Sequence, residues 1–174
     1  MVRSAFIFFL TLLSISCEAN EPSAIVTTSL PVSFREYLDC KFGKIAENVC
    51  EKKYHNYEYS ALPSNIRSQI ADEKYYVFYF LPSLSNLSVL LAIDGESDTN
   101  EYFLHVFKDG YLASTEEVGT SDGKNVISFE INKDYVITIN KMIGTTNKVK
   151  KSTHKKIGGD GKIVACTSSG LNCD

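Results

Sequence analysis

Apolar positions along this chain first form an unbroken run, then recur at helical spacing, and finally settle into alternation. After the opening run, Phe34, Tyr37, Leu38 and Phe42 follow Ser33 at helical intervals. Ser33 and Glu36 form an S-x-x-E capping box, and Gly43 supplies a stop. One short helix is predicted there. Val49 to Ser60 crowds Tyr54, Tyr57 and Tyr59 into a polar stretch with no clear period. Pro63-Ser64 then opens a second short helix, with Ile66 and Ile70 four residues apart.

From Tyr75 the pattern becomes that of strands. Tyr75 to Leu81 is aromatic and β-branched, and Leu87 to Ile93 follows a turn-rich break. Glu101 to Lys108 and Tyr111 to Val118 flank Asp109-Gly110, a dipeptide that favours a tight hairpin turn. Asn125 to Ile131 and Tyr135 to Met142 flank Asn132-Lys133-Asp134. In that pair Ile127, Phe129, Ile131, Ile137 and Ile139 alternate with Ser128, Glu130, Thr138 and Asn140, which predicts one dry and one wet face. Lys148 to Lys156 and Lys162 to Cys166 close the series around Gly158 to Gly161. The fold class read from this pattern is mainly β: an antiparallel hairpin meander preceded by one or two short helices. Sandwich, barrel and partial propeller all remain open.

The opening run changes the picture of where the protein works. Arg3 precedes the apolar stretch Ala5 to Leu13, and the chain turns polar at Glu18. That is the layout of a secretory signal peptide over residues 1–16 or 1–19. Ser14-Ile15-Ser16-Cys17 is similar to a bacterial lipobox, which would make Cys17 the lipidated first residue. Ser14 departs from the usual Leu there. Cleavage after Ala19, giving plain secretion, is the alternative. Residues 17–32 then read as a flexible tether, and 33–174 as a single β-rich domain.

Cysteine usage agrees with export. Removing Cys17 from the five cysteines by lipidation or excision leaves Cys40, Cys50, Cys166 and Cys173. Four exported cysteines predict two disulfides. Short spacings favour Cys40–Cys50 and Cys166–Cys173, although a long-range bridge such as Cys40–Cys166 would stabilise more. A zinc site is disfavoured because close Cys-x-x-Cys knuckles are missing.

No catalytic motif stands out, and no cofactor is expected. His55, His105 and His154 lack metal-binding spacing, and His105 alternates in phase with Phe103 and Phe107, as a buried sheet histidine would. Asp94 to Asn100 fails the calcium-loop pattern, having Thr99 where glycine is needed. Gly158 to Lys162 reads as a hairpin turn rather than a phosphate loop.

Charge is divided along the chain. Asp94 to Asp122 holds eight acidic residues and one lysine, whereas Lys141 to Lys162 holds seven lysines and one acid. Cross-strand pairing and lysine protection of edge strands account for this pattern as well as function does. The functional expectation is that Asp94, Glu96 and Asp98 contact a basic patch on a protein partner. The tyrosine-rich segment Tyr54 to Tyr59 is the other place to seek binding. The net charge of −3 argues against a nucleic-acid partner.

The run YYVFYFLPSLSNLSVLLAID, then EYFLHVFKDGYLASTEEVG, ISFEINKDYVITI and GGDGKIV, resembles small β-rich bacterial envelope lipoproteins. Some of these are periplasmic immunity proteins that neutralise toxins delivered by neighbouring cells. The resemblance implies a non-enzymatic, lipid-anchored binding protein of the periplasm or outer membrane, whose partner is a toxin or envelope component. A structural or accessory envelope lipoprotein and a secreted hydrolase are the other expectations.

Overall fold

The computed structural model describes residues 24–70, 75–95, 99–122, 126–143, 148–167 and 173. Cys17, Glu96 and Asp98, with the segment read as a signal peptide, lie outside these residues. Strand β1 (Val32–Ser33) runs directly into helix α1 (Phe34–Lys41). The Ser33 hydroxyl accepts the Glu36 N–H at 3.1 Å, which is half of the expected capping box. Glu36 does not reach back; its carboxylate takes Lys53 instead, at 2.5 Å. The ambiguous tyrosine stretch divides into helix α2 (Glu47–Lys53), strand β2 (Asn56–Tyr57) and a 3-10 turn, Tyr59–Ala61. Helix α3 (Ser64–Arg67) starts at Pro63.

All eight strands expected from the sequence form, with shifted ends: β3 (Tyr75–Leu84), β4 (Leu87–Asp94), β5 (Asn100–Lys108), β6 (Tyr111–Ser121), β7 (Val126–Ile131), β8 (Val136–Ile143), β9 (Lys148–Ile157) and β10 (Ile163–Ala165). They pair antiparallel in chain order, β2 lies beyond β3, and the sheet is not closed. Asp109 and Gly110 both take positive φ, at 51° and 84°, as the tight hairpin requires.

The sheet parts between β6 and β7. These strands pair only through Thr120–Ile127 and Ser121–Val126, next to their connection. Beyond that point they diverge, and β1 takes the vacated edge of β7, setting Val32 opposite Ile131. Phe34, launched from β1, then packs edge-on against Tyr102 at 5.2 Å and Phe129 at 6.1 Å. One helix thus fills the opening between two half-sheets. Leu91, Ile93, Leu104 and Val106 from the first half share a core with Phe129, Ile131, Ile137 and Ile157 from the second.

The outer face of the first half is buried too. Leu62, Ile66 and Ile70 cover Phe78, Phe80, Leu90, Ala92 and Phe107. Coverage on both faces explains why β4 (LSVLLAID) is nearly continuously apolar while β7 and β8 alternate. Burying a Leu or Ile side chain stabilises by about 1.5–3 kcal/mol, so both layers contribute to the fold.

Contacts across the two halves hold them together. The Tyr135 hydroxyl donates to the Pro82 carbonyl, Ser114 Oγ donates to the Gly161 carbonyl at 2.7 Å, and Lys155 pairs with Glu116. Gly161 has φ of 84°, and a Cβ there would stand 2.8 Å from Ala113 Cβ. The Gly158 to Lys162 segment is a hairpin turn docked on β6.

Residues 24–32 belong to the segment read from sequence as a tether, yet they lie against the sheet. Thr28 is fully buried, and its N–H donates to the Phe80 carbonyl at 2.7 Å.

Candidate functional site

Helix α2 buries none of its own side chains, so packing alone does not explain its position. Covalent and polar ties do. The Cys40–Cys50 disulfide joins it to α1, and Lys53 reaches Glu36 while lying 5.5 Å from the Tyr54 ring centre. Tyr54 then turns inward, edge-on to Tyr37 at 6.0 Å and to Tyr79 at 5.9 Å. Such ring pairs contribute about 0.5–1.5 kcal/mol each beyond area burial. Burial, and after it the nearby Glu36 carboxylate, holds the Tyr54 phenol well above its ordinary pKa.

Three residues on, Tyr57 packs edge-on against Phe80 at 5.3 Å. Its hydroxyl accepts the Val26 N–H at 2.8 Å and donates to the Val26 carbonyl at 3.2 Å. The N-terminal segment is thereby pinned beside α2 and β2. Between them lies an open groove of about 350 Å³, lined by Val26, Glu51, Tyr54, His55, Asn56 and Tyr57. Val26 leaves a large apolar side chain exposed in its lining. The groove combines an aromatic floor, one carboxylate, one imidazole and one amide. That combination suits reversible capture of a loop or extended segment.

A second depression, of about 410 Å³, lies between α3 and the β5–β6 turn and includes Gln69, Gly110 and Tyr111. Its polar groups are committed to structure. Gln69 donates to the Gly110 carbonyl at 2.6 Å and accepts the Leu112 N–H at 2.7 Å, clamping the hairpin tip.

The residues singled out in the sequence are spread over the molecule. Cys40–Cys50 and Cys166–Cys173 are both bridged, in the local pairing. Asp94 ends β4 directly opposite Glu101, on a strand separated from β2 by β3 alone, but it does not line the groove. Asp109 accepts from Asn86 at 2.9 Å, which is turn chemistry. His105 is buried, with Nδ1 2.9 Å from Thr115 Oγ1, as its alternation phase predicts. His154 lies 3.1 Å from Thr138 Oγ1 on the other half-sheet. Only the tyrosine-rich segment coincides with the groove. His55 falls within that segment, Glu51 was not singled out, and Val26 carried no sequence signal because it meets Tyr57 across 31 residues.

Among the described residues, no group of three or more His, Cys, Asp or Glu side chains is arranged to hold a metal ion. No described helix is long and apolar enough to cross a membrane. The chain matches no protein-family profile, no curated protein and no solved structure.

Proposed function

We infer that this is an exported, lipid-anchored binding protein of the immunity type, which captures a protein toxin in the periplasm. The observation that carries the binding role is the groove beside β2. Its walls are fixed before any ligand arrives, by a disulfide and by the paired Tyr57–Val26 hydrogen bonds. A prepaid geometry of this kind lowers the ordering cost of association. Exposed Val26 supplies apolar contact area in the groove lining. The signal-like leader and Cys17 support export and anchoring.

The test has two arms. Cys17→Ser should abolish lipid labelling and release the protein from the membrane fraction; a mature N-terminus at Asn20 would instead establish plain secretion. In the second arm, the product of the gene beside this one is assayed for binding to the purified mature chain. Val26→Asp should weaken that complex at least tenfold while leaving the melting temperature within a few degrees. Equal binding by Val26→Asp removes the groove from the contact surface. Failure of the neighbouring product to bind removes the immunity reading.

A further inference from the structure

Among the described residues, the last long strand leaves much of its outer edge open. β9 pairs along its length with β8, but β10 covers only Lys155–Ile157. The Cys166 N–H adds one bond to the His154 carbonyl at 2.8 Å. There the Cys166–Cys173 bridge folds the chain back on itself, in an antiparallel pairing of those two residues. Among the described residues no strand lies against Lys148–Thr153. Six residues of extended chain span about 20 Å, enough for a recognition strand.

This edge carries one sign of charge. From Lys141 to Lys156 the sequence has six lysines and no Asp or Glu. Lys155 is taken by Glu116, whereas Lys141, Lys150 and Lys151 have no carboxylate partner among the described residues. Lys141 stands directly opposite Lys151, and Lys150 is the extra residue of a bulge. Val149 is exposed between them.

We propose that the Lys148–Thr153 edge of β9 receives an extended acidic segment of a protein partner as an added strand. Charge selects this occupant over the others. A second copy pairing through the same edge would set lysine against lysine. A neutral strand would cover three lysines without compensating them. An acidic strand supplies both the missing backbone partners and the countercharge. Lysines on an edge strand ordinarily guard it against chance pairing. Here the guard also discriminates, because repulsion of wrong partners and attraction of the right one are the two halves of specificity. The proposal rests on the protein-binding reading for its class of partner, but it uses a surface at the other end of the strand order from the groove.

The experiment uses the mature chain with both bridges intact and a labelled ten-residue peptide of alternating Glu and Val. Two control peptides replace Glu by Gln or carry N-methylated amides. The acidic peptide should bind, lose at least tenfold in affinity in 0.5 M salt, and protect the 148–153 amides from hydrogen exchange. The double variant Lys150→Glu/Lys151→Glu should lose at least tenfold at an unchanged melting temperature, and both control peptides should bind at least tenfold more weakly. Val26→Asp should bind the acidic peptide like wild type, so that failure of the groove and failure of the edge are read separately. Equal binding of the N-methylated peptide, or unprotected 148–153 amides, overturns strand addition. Capture of anionic-lipid vesicles through the same two lysines, without peptide binding, overturns it in favour of a membrane-facing patch.

Discussion

Acidification should unfold this protein partly through one imidazole. His105 sits in β5 between Leu90 of β4 and Thr115 of β6, on the face covered by Leu62, Ile66 and Ile70. It is 3% exposed, and burial lowers its pKa from 6.5 to about 4. The neutral ring is the form that folds. Between these two values the unfolded chain binds more protons than the folded one, so stability falls as pH drops from 6.5 towards 4. Proton linkage converts that difference in pKa into a full loss of about 3 kcal/mol. Urea denaturation at pH 7, 6, 5 and 4 measures it. With a slope of about 2 kcal/mol per molar, the midpoint should fall by about 1.5 M through this group alone. Carboxylates also titrate over this range, so the comparison is with His105→Gln, which lacks the ionisation. The stability difference between the two proteins should shrink by about 3 kcal/mol from pH 7 to pH 4. A pH-independent difference refutes the argument, as does a folded-state imidazole titrating near 6.5 by NMR.

Two further outcomes follow from the packing. Replacing Cys40 and Cys50 by Ser removes a bridge whose loop closure is worth about 2.5–3 kcal/mol. Because α2 buries none of its side chains, its amides should lose protection well before those of β4 and β5; unchanged exchange in α2 would show that Lys53–Glu36 and Tyr54 suffice to hold it. Gly161→Ala should destabilise by about 2 kcal/mol, because it combines a left-handed backbone with a Cβ 2.8 Å from Ala113. A variant within about 0.5 kcal/mol of wild type by urea denaturation would mean that the β9–β10 turn lifts off β6 at little cost.

The candidate site was only half legible before folding. Crowded tyrosines marked Tyr54 to Tyr59 as unusual, but the reason lies in partners distant in the chain. Tyr54 needs Tyr37 and Tyr79, and Tyr57 needs Val26 and Phe80. The acidic loop, prominent in the sequence, leaves β4 at Asp94, opposite Glu101, and neither residue lines that groove.

What the chain settles by itself is whatever depends on near neighbours. Strand propensity and alternation place the eight main strands, Asp109-Gly110 and Gly161 place turns through positive φ, and Ser33 caps α1. Each follows from backbone sterics or side-chain period over a few residues. Tertiary structure decides the rest. The parting of β6 from β7, the insertion of β1 into that gap and the Lys155–Glu116 contact across 39 residues arise as the half-sheets fold together. Twist and bulges accumulate strand by strand, so no local pattern records where two distant edges meet. The two-residue strands β1 and β2 illustrate the limit: they are too short for a period, and they exist only because a finished sheet offers them an edge.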